Sequence, residues 1–195
     1  MTPELPGLRE QKKARTRETV QRCALDLFAA HGYAATTIDQ IAAAAEISPS
    51  TFFRYFPTKE DVVLADFTDA IAVDVLRAIP RDVGYVAAIR EMARQVWSGM
   101  PPEKAHYESL RHELISSVPE LRARMLDEYG RNVQLIASMV SEREGGDPDD
   151  PRARAIAGAV MGVMLSVLAD MPGAPMADHL AAIDARLAVL EGLID

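Results

Sequence analysis

The sequence predicts an all-α protein, and three observations carry that expectation. Apolar residues recur at spacings of three and four along most of the 195 residues, which marks helices with one buried face. No segment sustains the alternation of a half-buried strand. The pattern is interrupted where helix-ending or helix-starting chemistry stands: Gly32, Ser48-Pro49, Ile79-Pro80, Met100-Pro101-Pro102, Val118-Pro119, Gly145 to Pro151, and Met171 to Pro175.

The first helix places Val20, Ala24, Leu27 and Phe28 on one stripe, and Gly32 ends it where a left-handed residue costs least. Thr36 or Thr37 caps a short second helix, in which Ile38, Ile41, Ala42 and Ala45 share a face. Ser48 is a natural N-cap and Pro49 occupies the first helical position, where a missing N–H costs nothing, so a third helix starts there. Phe52 and Phe56, four apart, point inward and leave Pro49, Ser50, Phe53 and Arg54 outward. Leu25 to Leu64 thus has the shape of a DNA-reading helix-turn-helix. Phe52, Phe53, Tyr55 and Phe56 cannot all face one core, so Phe53 and Tyr55 are expected outside, beside Arg54 and Lys59, where they suit a polyanion.

A fourth helix is expected over 58–79, carrying Val62, Val63, Phe67, Ile71 and Val75, as a continuous lever between a DNA-binding domain at 9–57 and a second helical domain at 58–195. Further helices are expected at about 82–98, 103–117, 119–144, 151–170 and 176–194, with a mobile acidic loop from Gly145 to Asp150. The helix over 151–170 is apolar nearly all round and must be covered on every face. Its small residues Ala157, Gly158, Ala159 and Gly162, with the apolar surface of the last helix, point to a four-helix interface in a homodimer. Trp97, Met100, Tyr107, Leu110 and Leu114 supply adaptable apolar lining for a small-molecule effector, and Met125, Tyr129, Ile136 and Met139 extend it. His106, Arg111 and Asn132 are the candidate polar handles.

The net charge of −8 divides unevenly: residues 1–59 carry +2 and residues 60–195 carry −10. Arg9, Lys12, Lys13, Arg15 and Arg17 concentrate positive charge in an arm expected directly before the first helix, suited to a phosphate backbone or minor groove. Catalysis finds no support. Glu108 and His112 are four apart and His106 and Glu113 seven apart, but neither pair forms a zinc or triad pattern. No glycine pair follows a strand, so a phosphate-cradling loop is not expected, and neither a metal nor a cofactor is. Cys23 alone makes no intrachain disulfide and reads as a small buried residue. The N-terminus lacks a signal-length apolar core, and the run Ala155 to Ala169 falls short of the roughly twenty residues of a membrane span, so a cytoplasmic protein without a membrane partner is expected.

The pattern Gly32-Tyr33, Thr36-Thr37-Ile38, Ile41-Ala42, Ile47-Ser48, Thr51-Phe52-Phe53-Arg54-Tyr55-Phe56 and Lys59-Glu60 resembles the DNA-binding domain of the tetracycline-repressor (TetR) family of transcriptional regulators. The resemblance implies that Thr37, Thr51, Tyr55 and Lys59 contact phosphates, and that Pro49, Ser50, Phe53 and Arg54 approach base edges. Ser48, Arg15 and Arg17 are counted with this DNA-binding set. Phe53 stands where many members have Tyr, which leaves ring packing without a hydroxyl. Glu46 stands at the turn where many have Gly, and a left-handed backbone there costs about 1 kcal/mol. The phrase FFRYFPTKEDVVL also resembles a subgroup with acyl-CoA-like ligand-binding domains. The resemblance implies a dimeric repressor released from a palindromic double-stranded DNA operator by an apolar or acyl-type effector such as an acyl-CoA. An activator is open on the same residues. The alternative, a helical small-molecule-binding protein that does not bind DNA, has the acidic total and Glu46 as its only hints.

Overall fold

A short helix needs its ends satisfied, and the N-terminal third of the chain does this residue by residue. The computed structural model describes residues 8–65, 69–127, 129–144, 146–147 and 150–194, and these form helices without a strand. They fall into two compact units, Met1–Ala65 and Asp66–Asp195.

In the first unit, α1 (Leu8–His31) buries Val20, Gln21, Ala24, Leu25 and Phe28. It begins at Leu8, so the basic stretch expected as an arm is helical; LREQKKAR is built of strong helix formers. Gly32 follows with φ 84°. α2 (Ile38–Ala44) is capped by Thr37 in a reciprocal box with Gln40. It closes in a Schellman turn, in which Ile47 N–H donates to Ala42 O and Glu46 N–H to Ala43 O. That turn requires a left-handed residue at Glu46, whose φ is 54°, a strain of about 1–2 kcal/mol for a side chain with a Cβ. α3 (Pro49–Tyr55) starts on the Ser48 cap and buries Phe52, while Phe56 just beyond it is also buried.

α4 (Lys59–Leu64) starts on a Thr58–Asp61 capping box. It then stops. Ala65 is extended with ψ 117°, so the continuous helix expected over 58–79 is interrupted here, and Phe67 lies outside the described residues. No Gly or Pro marks the end. The buried amide of Gln21 marks it instead, donating to the carbonyls of Val62 and Ala65 at 2.8 Å each and so satisfying groups that another helical turn would have used. Cys23 is half-buried, donating to Ala44 O, and not a closed core position.

The second unit comprises α5 (Asp69–Ala78), α6 (Tyr85–Ser98), α7 (Pro102–Ser117), α8 (Pro119–Asp127), α9 (Tyr129–Glu144), α10 (Pro151–Asp170) and α11 (Met176–Ile194). The segment expected as one helix over 119–144 is helical on both sides of residue 128, as α8 and α9; residue 128 and Gly145, Pro148 and Asp149 of the expected acidic loop lie outside the described residues. The core joins Val86 and Ile89 of α6, Val133 and Val140 of α9, Ile156 and Val160 of α10, and Leu187 of α11. At 20 residues and a mean hydropathy of 1.5, α10 is long and apolar enough to cross a membrane, contrary to the expectation of a shorter run, but its Ala153, Ile156, Ala157, Val160 and Met161 pack into this core. Arg143 of α9 donates to the carbonyls of Leu76, Ile79, Pro80 and Val83, which caps α5 from across the fold. Arg77 and Glu142 add a bidentate pair between the same helices at 2.9 and 3.0 Å.

Between α7 and α11, burial pushes His112 down to about 4, with the neighbouring His179 and Arg111 charges adding. The unfolded value is about 6.5, so the unfolded chain binds the extra proton between these limits. Stability from this group is therefore complete above about pH 6.5 and lost as pH falls towards 4. The thermal midpoint should fall over that window, and the fall should be smaller in His112→Phe than in the parent, read by circular dichroism at matched ionic strength.

Candidate nucleic-acid interface

The interface is assembled from α1, α3 and the caps between them. On α1 the helical spacing places Arg9, Lys12, Lys13 and Thr16 on one face, and these line a groove of about 650 Å³ with Arg54 and Tyr55 of α3. Thr16 is held by its hydroxyl donating to Lys12 O at 2.9 Å. The Arg54 guanidinium lies 5.2 Å from the Tyr55 ring centroid. Hydrogen bonding from Arg54, with Thr16 and the charge of Lys13 adding, holds the Tyr55 phenol below its ordinary value. A groove with four cationic side chains and a polarised phenol suits the evenly spaced negative charge of a phosphate backbone.

Beside the groove, Pro49, Ser50, Phe53 and Arg54 are exposed on α3 as the sequence placed them, with Phe53 52% exposed although fully apolar. The Ser48 hydroxyl caps Thr51 N–H and lies 2.9 Å from the hydroxyls of both Ser50 and Thr51. Thr37 is exposed at the α2 cap, its backbone N–H bonded to Gln40.

Three residues expected at the interface are placed differently. Lys59 donates to the carbonyls of Tyr33 and Thr36 at 2.9 and 3.2 Å and sits 4.2 Å from the Tyr33 ring centroid, while the Tyr33 hydroxyl donates to Glu60. Lys59 therefore clasps the connection between α1 and α2. Arg17 lies over the Phe56 ring at 5.3 Å. Arg15 is exposed on another face of α1 and does not line the groove. Of the basic stretch expected to follow phosphates, Arg9, Lys12 and Lys13 line the groove; Thr16 was missed, and it completes an i, i+3, i+4, i+7 set once the arm is drawn as a helix.

The expected effector lining is less assembled. Trp97, Met100, Tyr107, Leu110, Leu114, Met125 and Asn132 are part-buried. Tyr129 and Ile136 pack against the core between α9 and α10. His106 is exposed with its ring 5.4 Å from that of Tyr107. Arg111 is bound at 2.8 Å to the buried Glu108 of its own helix, so its charge is answered within the protein.

Comparison with known proteins gives a consistent result. The family description "Bacterial regulatory proteins, tetR family" matches residues 22–65, and "MftR C-terminal domain" matches residues 83–194. The HTH-type transcriptional regulator TcmR of Streptomyces glaucescens is 35% identical over 156 residues, covering 76% of this chain and 69% of the relative. The putative mycofactocin biosynthesis transcriptional regulator MftR of Mycobacterium tuberculosis is 29% identical over 160 residues, covering 80% of this chain and 79% of its own. Among solved structures, Thermus thermophilus FadR, described as a TetR-family repressor in complex with lauroyl-CoA, is 27% identical with a TM-score of 0.52, covering 88% of this chain and 93% of that one.

Loss of a groove cation should act on every DNA alike, because phosphate contacts position without reading sequence. Lys13→Ala is expected to weaken specific and non-specific duplexes by the same factor and to reduce the slope of log K against log salt by about 1, measured by fluorescence anisotropy. A selective loss on one sequence would remove Lys13 from the phosphate side.

Proposed function

The chain belongs to the TetR family of bacterial transcriptional regulators, and from that premise we propose which of its residues grip and which read the operator. The basic groove carries the reading. Arg9, Lys12, Lys13, Arg54 and Tyr55 take the phosphates of one strand, and Pro49, Ser50 and Phe53, exposed next to them on α3, meet base edges in the major groove. This moves Arg54 from the base-reading set to the phosphate set. Thr37 and Thr51 approach the backbone from the two caps, and Lys59 acts by holding the α1–α2 connection.

Members of the family are regulators and not enzymes; they act as dimers on DNA operators and answer to small-molecule effectors. For this chain we place the dimer interface on α10 and α11. Ala155, Gly162 and Ala169 are exposed along one edge of α10, and Ala181, Ala185, Ala188, Val189 and Gly192 form an exposed row on α11, with Val189 67% and Leu193 78% exposed. Small residues in such rows let helices approach closely, as in a four-helix interface. The helix-turn-helix domain takes in α4 and runs to Ala65, and the effector-binding and dimerisation domain begins at Asp66. Repression relieved by the effector is the mode proposed.

The effector is a small apolar or acyl-type molecule with one polar end. Support comes from the Met-, Leu- and aromatic-rich side chains of α6 to α9 and from the lauroyl-CoA bound by the T. thermophilus relative. By linkage, an effector that disfavours DNA binding must itself bind more weakly to the DNA complex, by the same factor.

Selection of binding sites from random duplexes tests the reading face. Phe53→Ala and Ser50→Ala should each change base preference at one or two positions per half-site, while Arg54→Ala lowers affinity with an unchanged logo. Unchanged logos for Phe53→Ala and Ser50→Ala would reject the assignment. Gly162→Arg tests the interface: an added Cβ meets nothing within 4 Å in the single chain, so the variant should fold, sediment as a monomer and lose operator binding. A dimeric Gly162→Arg protein with full DNA affinity would exclude this edge of α10.

A further inference from the structure

Within the C-terminal unit, His112 of α7 and His179 of α11 meet edge to face, with ring centroids 4.2 Å apart and planes at 75°. His179 is 1% exposed, and its Nδ1 lies 3.3 Å from the carbonyl oxygen of Pro175. A carbonyl can only accept, so in the neutral ring the proton sits on Nδ1 and Nε2 is left as a bare lone pair. Among the described residues no donor reaches that lone pair, and the buried Nε2 of His112 has no partner there either.

The polar groups around the pair are already matched to each other. One turn before His112, Glu108 is bound by Arg111 at 2.8 Å. One turn after it, the Ser116 hydroxyl donates to Glu113 O and accepts from Gly173 N–H, and Arg122 of α8 donates to Ser116 O. Buried polar atoms are nearly always paired in folded proteins, so two orphaned nitrogens on adjoining rings call for a hydrogen-bonding partner from outside the chain.

We propose that the His112–His179 pair is the polar end of the effector site, accepting a hydrogen bond from the hydroxyl of an uncharged phenol or alcohol carried on an apolar body. This rests on reading the C-terminal unit as effector-binding. A carboxylate would bring further acceptors to a bare lone pair, and an ammonium would share the region with Arg111. A hydroxyl brings the one donor that is wanted, and a site built around such a bond rejects the analogue lacking it.

The test uses the full chain and two probes, 4-hexylphenol and its methyl ether, 4-hexylanisole. In protein labelled with ¹⁵N-histidine, the phenol should move the Nε2 resonance of His179 from the bare towards the hydrogen-bonded range, and the ether should not. Calorimetry should show the phenol about tenfold tighter than the ether, with that preference abolished in His179→Phe while ether binding persists. The spectra need no variant, so a poorly folded His179→Phe would leave the test intact. Equal affinities, an unmoved Nε2, or no binding of either probe overturns the proposal. So does Zn²⁺ binding that depends on both histidines without any phenol preference. A compound that releases the operator while both histidine signals stay still removes this site and leaves the effector reading standing. Movement of Nε2 by the phenol, with no compound able to release operator, keeps the site and removes that reading.

Discussion

A helix of seven residues cannot hold its own direction. α3 runs only from Pro49 to Tyr55, well below the roughly 12–15 residues at which an isolated helix becomes marginally stable in water. Its rotation is set by two side chains, Phe52 and Phe56, which are buried almost completely with ring centroids 5.9 Å apart. Because those two point in, Phe53 and Arg54 point out, and Phe53 stands edge-on against Phe52 at 5.6 Å. The Ser48 cap fixes where the helix begins, and α2 fixes where Ser48 stands. The strained Glu46 turn is the cost of bringing α2 and α3 into that register, and the surrounding hydrogen bonds hold it there.

Much of this was legible in the sequence because it is local. Thr37, Ser48 and Pro49 signal helix starts through chemistry that acts within three residues, and Phe52 and Phe56 declare their face through spacing alone. Gly32 was legible for the same reason, while Glu46 stood out only against the glycine that the family resemblance places at its turn. What failed was long-range. Gln21 ends α4 from 41 and 44 positions away, Lys59 clasps carbonyls 26 and 23 positions back, and Arg143 caps α5 from more than 60 positions away. For α4 and α5 a side-chain donor does the work that a C-terminal glycine does elsewhere, whereas Lys59 holds a connection beyond the Gly32 that already ends α1, and no sequence window contains both partners. Lys59 and Arg17 also engage the protein itself, because a cation near a DNA-reading helix can equally serve a carbonyl or a ring.

The C-terminal unit shows the same economy. Arg90 of α6 is bound to Asp184 and Glu191 of α11, and Arg186 joins α11 to α10 through Ser166 and Asp170. Arginine forks of this kind align helices whose apolar faces are interchangeable in composition, since Val, Ile and Leu stripes alone specify burial but not register. The apolar pattern therefore announced helices over this half of the chain, while the pairs that set their register, and the histidine contact between α7 and α11, emerged only with the fold.

The basic groove belongs to a chain that is otherwise strongly acidic, and this has a consequence for how a polyanion is met. Residues 60–195 carry −10 and residues 1–59 carry +2, so the field of a duplex pulls on one part of the chain and pushes on the other. On the whole chain, at −8, the push is the larger, and attraction is confined to the basic groove. Encounters are oriented while the surfaces are still a Debye length apart, about 8 Å at physiological salt, and landings on the acidic part are short-lived. The same excess of negative charge keeps non-specific attachment weak, so the protein can leave wrong sequences quickly without giving up any contact it makes at the right one.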